Sequence, residues 1–68
     1  MLDVSKIRAG NLVDFGLYGQ LYVCYPDFSE NWFWVTDSIM DRINPKAMGW
    51  SIRKSDAKAI MQSYKGIY

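Results

Sequence analysis

Three adjacent aromatic residues, Trp32-Phe33-Trp34, followed by the β-branched Val35, constrain this chain more than any other stretch. Neighbouring rings ending in a β-branched residue favour an extended backbone over a helix. A strand sends alternate side chains to opposite faces. Trp32 and Trp34 then point one way, and Phe33 and Val35 the other. Both faces are apolar, so either both are covered by the chain itself or one is meant for a partner.

The rest of the chain limits how much can be covered. Sixty-eight residues make one domain, residues 1–68, and a chain of this size buries only about 60% of the surface it exposes when unfolded. Small folds of this kind usually carry a staple. Here a single cysteine, Cys24, excludes a disulfide within the chain, and the absence of histidine excludes a zinc site of ordinary type. The compensation must come from three Trp, five Tyr and three Phe, each of which can bury ~150–250 Å². A lone thiol suits a reducing compartment. Asp3, Ser5, Lys6 and Arg8 break up any apolar leader, and no apolar run approaches the roughly 20 residues that span a bilayer. A soluble, cytoplasmic protein without membrane contact is expected.

In chain order, Leu2, Val4 and Ile7 can pack beside a short turn over residues 5–8, and Gly10-Asn11 marks a turn. Leu12 to Phe15 predicts a first strand with Val13 and Phe15 on one face. Gly16 and Gly19 bracket a hairpin connection whose Leu17 and Tyr18 are unusual at a solvent-exposed tip. Gln20 to Tyr25 predicts a second strand, with Leu21, Val23 and Tyr25 on one face, Tyr22 and Cys24 on the other, and Pro26 ending it. A turn through Pro26 to Asn31 leads into the third strand, Trp32 to about Thr36. Asp37-Ser38 predicts a capped helical turn placing Ile39 and Ile43 on one face, stopped by Asn44-Pro45. An irregular link follows. Trp50 to Arg53 alternates as a fourth strand, Trp50 and Ile52 inward. Ser55-Asp56 predicts a helix start, and Ala57, Ile60, Met61 and Tyr64 recur at helical spacing up to Lys65 and Gly66, with Ile67-Tyr68 folding back.

This order of elements resembles a small SH3-like β-barrel. The residues that carry the likeness are Ile7-Arg8-Ala9-Gly10-Asn11-Leu12-Val13 near the start and Trp50-Ser51-Ile52-Arg53-Lys54-Ser55-Asp56-Ala57 near the end. The resemblance implies a mainly β fold: an antiparallel barrel of four to five strands with a C-terminal helix. An α+β alternative lays the Ser55–Lys65 helix across a three- or four-stranded sheet. Neither the acidic loop and paired aromatics of signalling SH3 domains nor the glycine and basic pattern of ribosomal KOW barrels is recognisable, so the resemblance speaks to fold and not to ligand.

The chemistry available is sparse. No imidazole can activate Cys24, which is expected as a small buried residue. No glycine-rich phosphate loop occurs. Asp27 with Glu30, and Asp37 with Asp41, are paired carboxylates that loop solvation and capping account for. No catalytic residue, metal ligand or cofactor is expected, and the chain is expected not to be an enzyme. Eleven rings cannot all be enclosed, and exposed aromatic clusters mark interaction sites. The first expectation is therefore a protein-binding module, an inhibitor or accessory factor of the kind phages encode, with Tyr18, Tyr25, Phe28, Trp32 and Trp34 as anchors and Asp27 and Glu30 on the rim. The alternative is a barrel that binds single-stranded nucleic acid. Net charge is +1, but residues 1–41 sum to −4 and residues 42–68 to +5, and Arg42, Lys46, Arg53, Lys54 and Lys58 would form the basic track. A homodimer through the aromatic strand is a third possibility. Phe33 and Val35 are expected to face the core, with Trp32 and Trp34 partly exposed beside Tyr25.

Overall fold

A computed structural model describes residues 2–62 of the chain. Five antiparallel strands form one sheet: β1 (Leu12–Asp14), β2 (Gln20–Tyr25), β3 (Trp32–Thr36), β4 (Trp50–Arg53) and β5 (Ala59–Gln62). Their spatial order is β4-β3-β2-β1-β5, and the end strands do not pair with each other, so the sheet is not closed into a barrel. The helical elements among the described residues are short 3-10 turns, at Val4–Lys6, Gly16–Tyr18, Ile39–Asp41 and Lys54–Asp56.

One face of the sheet builds the core. Val13 and Phe15, Leu21 and Val23, Phe33 and Val35, and Ile52 are all buried, as alternation along their strands requires. Phe15 and Phe33 meet edge to face at 6.3 Å. Ile7 closes one side of this cluster, with Leu2 and Val4 packed against it. The turn that delivers Ile7 is capped by Asp3, whose Oδ1 accepts from the Ser5 amide at 3.0 Å and the Ser5 hydroxyl at 2.6 Å. These hydrogen bonds hold the Asp3 carboxyl below its ordinary pKa. Asn11 is buried but satisfied: its Oδ1 accepts from the Arg8 amide at 2.8 Å, and its carbonyl accepts from Val23 at 3.0 Å. The Gly10-Asn11 turn thereby extends the β1–β2 ladder.

Two strand faces differ from the expectation. Val23 pairs with Val35, but the next pair is Tyr25 with Trp34, so β2 carries a bulge at Cys24. The bulge buries Cys24 next to Val23 and turns Tyr25 away from them, onto the face of Trp34. Trp50 pairs with Val35 and follows the parity of Ile52, yet it is 42% exposed. It is the first residue of an edge strand, on a groove that it shares with Tyr18.

Over residues 55–62 the expected C-terminal helix is not formed, and the α+β alternative falls with it. Ser55 lies within the 3-10 turn Lys54–Asp56, which has no side-chain cap. Ala57 is extended, with φ −69° and ψ 126°, and the Lys58 amide donates to the Asp14 carbonyl at 2.7 Å. β5 then pairs along β1, Val13 with Ile60 and Asp14 with Ala59. The free edge of β1 wins over a helical spacing worth only tenths of a kcal/mol per residue. Ala57 still reaches the core from the extended link before β5, and Ile60 packs against it from β5 itself, whereas Met61 is 48% exposed. Tyr64, Lys65, Gly66 and Ile67-Tyr68 lie outside the described residues.

The β3–β4 connection covers part of the sheet's second face. Its turn Ile39–Asp41 has no cap from Ser38; instead the Ser38 amide donates to Thr36 Oγ1 at 3.1 Å. Ile39 and Ile43 are both exposed rather than buried on a shared face. Farther on, Ala47 is buried, and its carbonyl accepts from Trp34 Nε1 at 2.8 Å. Gly49 then lies against the Val35 carbonyl so closely that a Cβ would overlap it.

Candidate functional site

β3 is the central strand of the β4-β3-β2 segment, and the site grows outward from it. Phe33 and Val35 are 1% and 0% exposed, while Trp32 and Trp34 lie half-buried on the other face. Trp32 stands opposite Arg53 of β4, and Trp34 opposite Tyr25 of β2.

Around Trp34 the structure gathers three of the expected anchors. Phe28 packs on Trp34 with centroids 5.2 Å apart and against Tyr25 at 6.1 Å. Phe28 comes from the β2–β3 turn, held there by its amide on the Tyr25 carbonyl. Ser29 Oγ accepts from the amides of Asn31 and Trp32 and fixes the entry into β3. Tyr25 and Phe28 are exposed, so this cluster has one face on the sheet and one in solvent. The indole N–H of Trp34 is committed to Ala47, which makes Trp34 a support for the β3–β4 connection as well as a surface ring.

Around Trp32 the surroundings are different. The Arg53 guanidinium lies 5.1 Å from the Trp32 ring centroid, a cation–π arrangement. Next to it runs a groove of about 150 Å³, lined by all four residues of β4 together with Tyr18, Trp32 and Asp56. Tyr18 reaches it from the turn Gly16–Tyr18, and it is exposed, as is Leu17. That turn closes through Gly19, whose φ of 81° and ψ of −162° suit glycine alone. Trp50 and Asp56 were not among the expected site residues. Alternation assigned Trp50 to the core, and nothing in the sequence marks β4 as an edge.

The rim residues separate. Asp27 is exposed beside Phe28, whereas Glu30 lines a different cavity with Leu2, Val4 and Ala57. The basic residues separate too. Arg53 and Lys54 flank β4 and its following turn, with Lys54 Nζ 5.3 Å from the Phe33 ring centroid. The Lys58 side chain lies next to Gly16. Arg42 and Lys46 belong to the β3–β4 connection, where Arg42 lines a separate pocket with Gly10, Tyr22, Ile39 and Gln62. The structure therefore brings one cation onto one candidate ring, and it spreads the rest.

Burial pushes the Cys24 thiol above its ordinary pKa, so Cys24 is held as a thiol that donates to the Trp34 carbonyl at 3.4 Å. Among the described residues no three His, Cys, Asp or Glu side chains are placed to hold a metal ion, and no helix is long and apolar enough to cross a membrane. Compared with known proteins, the chain matches no protein-family model, no curated protein and no solved structure.

Proposed function

We propose that the chain is a small SH3-like domain that binds another protein and performs no catalysis. The strand order β4-β3-β2-β1-β5, with a 3-10 turn between the last two strands, supports the SH3-like reading. The observation that carries the binding reading is the aromatic band on the outer face. It runs from Tyr25 and Phe28 over Trp34 to Trp32 beneath Arg53. Half-exposed Trp, Tyr and Arg on three adjacent strands, close to a turn bearing a further ring, are what a protein-binding hot spot is made of. An inhibitor or accessory factor that covers a partner's working surface would use such a band, and the free thiol of Cys24 suits a reducing, cytoplasmic setting.

The test is capture from a lysate of the native host. One stoichiometric partner is expected. Trp32→Ala and Phe28→Ala each weaken its binding by at least about 10-fold, as truncation of hot-spot rings does, and each leaves the melting curve close to wild type. Recovery of no stoichiometric protein, or a partner indifferent to both changes, overturns the reading.

The stacking of Arg53 on Trp32 favours one second reading, a single-stranded nucleic-acid platform. It ranks lower because Arg42 and Lys46 lie on the β3–β4 connection rather than beside that pair. On this reading an oligonucleotide quenches Trp fluorescence at 50 mM salt, and its affinity falls steeply by 200 mM. No binding at the lower salt removes it.

A further inference from the structure

We infer that the outer edge of β4 accepts an extended segment of the partner protein as an added β-strand, with an acidic side chain of that segment on Arg53. This rests on the protein-binding reading and names how the partner is held.

The argument starts from the hydrogen bonds of β4. The Lys54 amide donates to the Asn31 carbonyl at 2.9 Å, and the register runs Trp32 with Arg53, Phe33 with Ile52, Trp34 with Ser51 and Val35 with Trp50. In an antiparallel ladder the bonded pairs alternate. Trp50, Ile52 and Lys54 therefore direct their backbone groups toward β3. Ser51 and Arg53 direct theirs outward, where no strand lies among the described residues. The edge thus offers two N–H donors and two carbonyl acceptors, spaced as a strand would meet them.

Natural edges are guarded by shortness, charged side chains, proline, a bulge or an inward charge. β4 is four residues long and carries Arg53, but it has none of the last three. It contains no proline, its register with β3 is unbroken, and its one charge, Arg53, lies on the outer face over Trp32. The opposite edge strand differs, because β5 pairs with β1 through a register shift. The groove beside β4 supplies side-chain contacts for an incoming strand, with Trp50 and Tyr18 both exposed along it. Charge then chooses the occupant. Among the described residues Arg53 has no ion pair; its guanidinium meets only the Trp32 ring. Asp56 lines the same groove without pairing with it. A guanidinium held over an aromatic face, with no hydrogen bond or ion pair to another described residue, is suited to take a carboxylate. Main-chain bonds would give affinity and this contact would give specificity, as in other strand-addition complexes.

The test uses a random nine-residue peptide library selected on the intact chain. The expected winners carry an acidic residue. Their binding falls at least 10-fold with Ser51→Pro, which removes an outward N–H without touching the β3 ladder, and at least 10-fold with Arg53→Glu. Since Ser51→Pro could disturb the fold, a second arm alters only the peptide: methylating alternate backbone nitrogens in one register abolishes binding, and in the other register leaves it. A selection that yields no binder, binders indifferent to both substitutions, or equal effects of the two methylation registers overturns the inference. So does a concentration-dependent dimer of the chain alone that Ser51→Pro dissociates, which would give the edge to a second copy. A native partner that needs Trp32 and Phe28 but tolerates Ser51→Pro would sink strand addition and leave the protein-binding reading standing.

Discussion

Gly49→Ala is expected to leave this domain largely unfolded at 37 °C. The reason is not the backbone angle but the space. A Cβ on Gly49 would overlap the Val35 carbonyl oxygen, with the Val35 carbonyl carbon at 3.0 Å and the Thr36 Cα at 3.5 Å. None of these atoms belongs to a side chain that could swing aside. They form the backbone of β3, whose Val35 and Thr36 are both fully buried. Relief therefore means pulling the start of β4 off β3, just where Trp50 pairs with Val35. Overpacking of this sort costs about 3 kcal/mol or more, against the ~3–5 kcal/mol that a core of this size rarely exceeds. Urea titration followed by Trp fluorescence measures it. A midpoint within about 0.5 kcal/mol of wild type would mean that the β3–β4 connection yields where the packing says it cannot.

That glycine also shows where the sequence stops being informative. Gly49 is one of five in the chain, and nothing local separates it from a glycine that merely turns a loop, because its constraint comes from a residue 14 positions earlier. Alternation did reveal what is local. Val13 and Phe15, Leu21 and Val23, and Phe33 and Val35 all reach the core, as period-two patterning requires. Failures came where a distant neighbour decided. The bulge at Cys24 follows from how β2 meets β3, and it moves Tyr25 to the other face. The exposure of Trp50 follows from β4 being an edge, which is a property of the sheet order. The stretch after Asp56 fits a helix by spacing and a strand by topology, and the unpaired edge of β1 settled it. The candidate site divides in the same way. The Tyr25, Phe28 and Trp34 cluster is assembled across one hairpin and was legible as aromatic crowding. Arg53 on Trp32 joins the acidic and basic halves of the chain through a strand pairing that charge counting could not anticipate.

Because β3 has a buried and an outward face, two substitutions one residue apart should have opposite consequences. Phe33→Ala is expected to destabilise the fold by about 3–5 kcal/mol, enough to abolish a cooperative transition at 25 °C. Phe33 is 1% exposed, meets Phe15 edge to face at 6.3 Å and carries Lys54 near its ring. Its removal takes away one of the two buried rings of the core together with the aromatic pair, itself worth about 0.5–1.5 kcal/mol. Phe33→Leu fills most of the space and should keep a cooperative unfolding curve. Trp32 points the other way, toward Arg53 and solvent. Its replacement by Ala should cost partner affinity while leaving the fold in place. Urea curves for Phe33→Ala, Phe33→Leu and Trp32→Ala, set beside partner binding for the last two, check the whole arrangement. If Phe33→Ala unfolds like wild type, Phe33 is not the core anchor that its burial implies. If Trp32→Ala unfolds the domain as Phe33→Ala should, the outward face of β3 holds the fold together, and the binding surface must lie elsewhere. The opposed pair of results would establish that one strand uses its inner ring for stability and its outer rings for recognition.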